Sequence, residues 1–140
     1  MKNNLTEMLP KDSYELIDFL PFQVEKDQGH YSDVEPYLRN HQKKKIFKRY
    51  TNFFLKLYCY CDLEVDDQKK EIENPKPKKL IKMIQNSVKN DGILQIRAKD
   101  TVFLITGSDL YITVYNPDPI RDLIKALADS EGLFLRKREL

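Results

Sequence analysis

Apolar residues recur along this chain with two different periods, and the change of period marks its elements. In the C-terminal half they alternate or run unbroken, as strands require. Ile93, Leu94 and Ile96 lead to a turn at Ala98-Lys99-Asp100. Thr101 to Thr106 is continuously apolar and β-branched, which predicts a central strand. Gly107-Ser108-Asp109 reads as a hairpin loop, and Leu110, Ile112 and Val114 then alternate with Tyr111, Thr113 and Tyr115. A last strand is predicted at Leu133-Phe134-Leu135, followed by Arg136-Lys137-Arg138, basic residues that discourage edge pairing.

Between these strands the period is helical. Leu80, Ile81, Ile84 and Val88 fall on one helix face, and Ile120, Leu123, Ile124 and Leu127 on another. Both follow the same signature, Asn-Pro-x-Pro, at residues 74–77 and 116–119. Each then carries Leu-Ile-Lys or its counterpart, a serine, and a glycine (Gly92, Gly132) before an apolar strand. This echo, 62–97 against 109–136, predicts two strand-helix-strand units, whether it reflects duplication or two similar helix starts. Asn74 and Asn116 are expected as N-caps, the prolines in the first turn where no N–H is missed, and the glycines as left-handed C-caps.

The N-terminal half is predicted to be mostly helical. Asp12 or Ser13 is expected to cap a short helix through Tyr14, Leu16, Ile17 and Leu20 that stops at Pro21. Residues 22–31 read as loop, and Ser32 as the cap of a short turn through Val34 before Pro36. Residues 43–65 support two readings. Ile46, Phe47, Tyr50, Phe53, Phe54, Leu57, Tyr58 and Cys61 make one helical stripe, whereas Leu55, Leu57, Cys59, Cys61, Leu63 and Val65 alternate as in a strand. The reading adopted is a helix over about 42–60 running into a short strand at 61–66. The expected fold is therefore one α+β domain over 1–140, mostly helical in 1–60 and sheet-and-helix in 61–140. Its sheet is mixed or antiparallel with four or five strands, and the two echo helices cover one face. The N-terminal helices are placed at the side or on the other face.

Charge changes this picture because it comes in blocks. Residues 36–61 carry seven bases and no acid, while 1–35 carry eight acids and three bases. On the predicted long helix, Lys44, Lys45, Lys48, Arg49 and Lys56 share one arc opposite the aromatic stripe. Such an arc is either a solvated face or a surface for an acidic partner or nucleic acid. The formal net charge of only +2 favours a protein partner over nucleic acid. Eight tyrosines and no tryptophan add a second candidate, Tyr111 and Tyr115 on one strand face, which suits packing, a protein interface or base stacking.

Catalytic motifs are not found. Four glycines rule out a glycine-rich phosphate loop, and there is no nucleophile elbow or His-Glu-x-x-His pair. His30 lies near acids in a polar loop, and His41 beside the basic block; both read as solvated. Cys59 and Cys61 are too close for an unstrained disulfide and read as two buried thiols. No catalytic residue, cofactor or metal site is expected. The absence of a signal-like apolar segment or a membrane span leads to an expectation of cytoplasmic location.

The stretch Asp109 to Pro117, with the helix after it and Ser130-Glu131-Gly132-Leu133-Phe134, resembles the C-terminal part of small uncharacterised proteins of low-GC Gram-positive bacteria. Some of these look like immunity partners of polymorphic toxins. The resemblance covers between a third and a half of the chain and implies a non-enzymatic protein that sequesters a protein partner. Its residues are fold residues, so it brings no site across.

Overall fold

The computed structural model describes residues 14–25 and 28–137. Seven strands form one sheet: β1 (Tyr14–Asp18), β2 (Glu64–Asp66), β3 (Glu71–Glu73), β4 (Ile93–Ala98), β5 (Thr101–Thr106), β6 (Ile112–Tyr115) and β7 (Phe134–Lys137). Four α-helices accompany them: α1 (Tyr31–His41), α2 (Lys43–Tyr58), α3 (Pro77–Lys89) and α4 (Arg121–Ser130), the last preceded by a 3-10 turn at Asp118–Ile120. The strand order is β3-β2-β4-β5-β6-β1-β7, and every neighbouring pair is antiparallel. The fold class is α+β, with β5 central as its unbroken apolar run predicts.

Two strands exceed the five legible in the sequence. One is β3, a short edge strand. The other is β1, which replaces the predicted helix through Tyr14, Leu16, Ile17 and Leu20. The reason is tertiary. β1 lies between β6 and β7, so both its edges are hydrogen-bonded, and Glu15, Leu16, Ile17 and Asp18 are all buried. A strand buried on both sides needs no alternation. The proposed caps Asp12 and Ser13 lie outside the described residues.

Of the two predicted strand-helix-strand units, the one over 109–136 is present as β6, α4 and β7, with β1 inserted between its strands. In the one over 62–97 the predicted first strand is β2, which pairs directly and antiparallel with β4; the strand that leads into α3 is β3, and β3 and β4 flank β2. Being antiparallel to the strand between them, the members of each pair run in the same direction, with α3 or α4 as the crossover. The asparagines do not cap these helices. Lys76 is the N-cap of α3, without a side-chain bond. Asn74 (φ 50°) and Asn116 (φ 53°) instead take the left-handed conformation that asparagine tolerates better than most residues. Each ties two strand ends together. Asn74 Oδ1 accepts from Leu63 N–H at 2.9 Å, while its own N–H donates to Leu63 O at 2.7 Å. Asn116 Nδ2 donates to Asp100 O at 3.1 Å, and its carbonyl accepts from Thr101 Oγ1 at 2.9 Å. Gly132 (φ 71°) is the expected C-cap, with Leu133 N–H bonded to Ala128 O and Gly132 N–H to Asp129 O. At the end of α3, Asp91 (φ 52°) takes the left-handed position in place of Gly92.

α2 follows the helical reading of 43–58 and then turns into β2. Its buried stripe is Ile46, Phe47, Tyr50, Phe53, Phe54 and Leu57. Phe53 and Phe54 set their rings 5.8 and 5.3 Å from Phe103 of β5, and each such buried side chain contributes about 1.5–3 kcal/mol. α2 therefore packs on the same sheet face as α3 and α4, touching both, rather than at the side or on the other face. Phe103, Ile105, Ile112, Val114 and Ile17 point into this helical layer by register. Their neighbours Leu104, Thr113, Tyr115, Tyr14 and Leu16 point to the other face. The helix end leaves Cys59 exposed and Cys61 buried, so only one of the two thiols is a core residue. α1 runs through Pro36, where a turn had been expected to end, and contributes no buried residue.

Candidate functional site

The structure separates the sequence-predicted candidates onto opposite sides of the sheet. Lys44, Lys45, Lys48 and Arg49 are exposed on the outer arc of α2, and among the described residues none of the four makes an ion pair. Lys56 is already engaged: its Nζ lies 2.6 Å from Glu131 Oε2 and donates to Ser130 Oγ at 2.8 Å, tying α2 to the end of α4. Tyr111 and Tyr115 lie across the sheet from this arc.

There they line a hollow of about 600 Å³. Strand register builds it. β1 brings Tyr14 opposite Tyr115 and Leu16 opposite Thr113, and the rings of Tyr14 and Tyr115 sit 5.4 Å apart at 45°. The segment after β1 returns past the sheet and adds Leu20, Val24 and Tyr31 to the wall. At the floor, Arg136 Nη2 and Nε donate to Asp18 Oδ2 at 2.7 and 3.1 Å. Asp18 Oδ1 accepts from Phe19 N–H at 2.8 Å. This pair is nearly enclosed, with side chains 13% and 6% exposed, and satisfies its own charges as buried ions must.

The hydroxyls of Tyr31, Tyr111 and Tyr115 are held neutral. Burial pushes Tyr31, Tyr111 and Tyr115 above the usual tyrosine value; for Tyr31 the carboxylates of Glu35 and Asp18 add to this, and for Tyr111 those of Asp109 and Asp18. They remain both donors and acceptors beside their π faces.

Beside the hollow lies an apolar patch that has no counterpart among the sequence-predicted candidates. Phe22 is 79% exposed, and Val24, Tyr31, Val34 and Tyr37 are exposed with it. Val24 and Tyr31 belong to both patch and hollow. α1 is held by Arg39, which bonds Glu35 on its own helix and the Ser108 carbonyl in the β5–β6 loop. No local signal marks Tyr14 or Tyr31 as partners of Tyr115, because the pairing spans the chain.

A second cleft of about 560 Å³ lies at the β2–β3 end, bordered by Cys59, Cys61, Glu64, Glu73, Arg97 and Lys99. His30 is exposed, with its Nδ1 3.5 Å from Asp33 Oδ2; His41 stacks near Tyr37 at 4.6 Å. Among the described residues no group of three or more His, Cys, Asp or Glu is placed to hold a metal ion, and no helix is long and apolar enough to cross a membrane. Comparison with protein-family models, with curated proteins and with solved structures finds no match to this chain.

Proposed function

We propose that the chain is a non-catalytic binding protein that docks a protein partner through the surface of residues 22–37 and the adjoining hollow. One observation carries this reading. Among the described residues seven large apolar side chains are exposed, and five of them (Phe22, Val24, Tyr31, Val34, Tyr37) fall within these sixteen positions. Scattered exposed apolar residues need no explanation, whereas five within one short segment, two of them lining a tyrosine-rich depression, are what an interface requires. In the form suggested by the resemblance to immunity proteins, the partner is an enzyme whose active site is covered.

A second reading rests on Lys44, Lys45, Lys48 and Arg49, an exposed cationic arc suited to nucleic acid. One experiment separates the two: affinity capture from native lysate with and without nuclease, using the wild-type chain, Val34→Asp and Lys44→Glu/Lys48→Glu. Docking through the patch requires a stoichiometric protein that survives nuclease, is lost with Val34→Asp and is kept with the double lysine variant. Loss with the lysine variant and with nuclease would replace this reading with the second.

A further inference from the structure

We propose that the hollow is a receptor for an organic cation, an ammonium or guanidinium group, which the docked partner presents as a Lys or Arg side chain. The proposal rests on the docking reading above and assigns the chemistry of the partner. Three features support it. The volume of about 600 Å³ takes a long side chain with room for its solvent. Four of its lining residues are tyrosines, Tyr14, Tyr31, Tyr111 and Tyr115, and tyrosine π faces attract cations, most strongly where water is reduced. The charge around the mouth is negative once internal pairs are removed.

The balance of that charge is explicit. Arg136 is consumed by Asp18, and Arg39 by Glu35. Asp109, beside Tyr111, accepts from Thr106 Oγ1 at 2.7 Å, and Glu25 follows Val24 of the wall. Among the described residues neither Asp109 nor Glu25 has an ion-pair partner. A phosphate or carboxylate is disfavoured in this field and a cation is drawn in. Interface specificity of this kind comes from charge complementarity around aromatic anchors.

The test follows the tyrosine resonances of the full chain by NMR while butylammonium or ethylguanidinium chloride is added, with butanol and phenol as neutral controls. The expected result is saturable shifts at Tyr14, Tyr31, Tyr111 and Tyr115 with the cations and not with the neutral probes. Tyr111→Phe keeps the π face and binds within about twofold of wild type, whereas Tyr111→Leu and Asp109→Asn each weaken cation binding by about fivefold or more. Tyr60→Ala, outside the hollow, changes nothing. Equal shifts with phenol, or none with the cations, overturn the proposal. In the capture experiment ethylguanidinium should release the partner. Cation binding that leaves the partner in place assigns the hollow to a free amine and overturns the side-chain source. Failure of the docking reading is seen separately, as capture that survives Val34→Asp.

Discussion

The Tyr50 hydroxyl donates to the Leu110 carbonyl oxygen at 2.6 Å, and the Ile17 carbonyl oxygen lies 3.3 Å away on its other side. The middle of α2 is thereby joined to the residues leading into β6 and to β1, at a point with no solvent exposure. A buried carbonyl without a donor is costly, so this hydroxyl does more than fill space.

Tyr50→Phe should lower stability by about 1–3 kcal/mol in urea denaturation, because the ring packing survives while the buried Leu110 carbonyl loses its hydroxyl donor. The wild type should also weaken in alkali. Burial holds the Tyr50 phenol well above its ordinary value in the folded state, while the unfolded chain releases that proton at about pH 10. Stability is therefore intact below pH 10 and falls above it by about 1.4 kcal/mol per pH unit for this one group. The Phe variant should show a shallower decline; an equal slope would remove Tyr50 as its source.

Gly107→Ala should be more damaging than alanine at Gly92. A Cβ on Gly107 would meet Asp91 Cα and Ser87 O at 2.7 Å and Val88 O at 2.9 Å, all backbone atoms at the end of α3. On Gly92 the nearest contact is 3.6 Å. Thermal denaturation should show a loss of about 1–3 kcal/mol for the first and less than about 1 kcal/mol for the second.

Asn74→Ala and Asn116→Ala should each cost about 1–3 kcal/mol, combining a left-handed backbone with a lost strand-end bond. Asn→Gly at either position should be milder, since glycine removes the backbone part alone. Were the asparagines ordinary helix caps, Ala would cost more than Gly by a similar margin, but the lost amide protection would fall in the first turns of α3 and α4. Hydrogen exchange should instead find it at Leu63 for Asn74, whose side chain accepts from that amide, and should find the first turns of α4 unchanged for Asn116, whose side chain bonds the Asp100 carbonyl.

Arg136→Met should destabilise the fold by about 3–5 kcal/mol, because it leaves the Asp18 carboxylate buried and unpaired. Asp18→Leu combined with Arg136→Met should cost less than Arg136→Met alone. A double-mutant cycle in denaturant measures the coupling, and simple additivity would show that the pair is not coupled.

Much of the architecture was legible because it is local. The β4-β5-β6 meander and both crossover helices follow from periodicity, turns and prolines, all within a few residues of one another. β1 was not legible. Tyr14, Leu16, Ile17 and Leu20 fit a helix face as well as a strand, and the choice is made by β6 and β7, about a hundred residues away. The asparagines misled for a related reason, since a cap and a left-handed strand end favour the same residue type. Of the candidate site, Tyr111 and Tyr115 were visible as a strand face. Tyr14 joins them only through register and Tyr31 only through the returning chain.

The position of β1 also shapes how the molecule comes to exist. A strand that leaves the ribosome at residue 14 finds its two partners only when 112–115 and 134–137 have followed. Until then Leu16 and Ile17 have no sheet to enter, and Glu15 and Asp18 lack Arg121 and Arg136, the arginines that pair with them in the fold. Closure of the sheet waits for nearly the whole described chain, which makes folding a slow, non-local event and leaves β1 open to capture by other unpaired edges during synthesis.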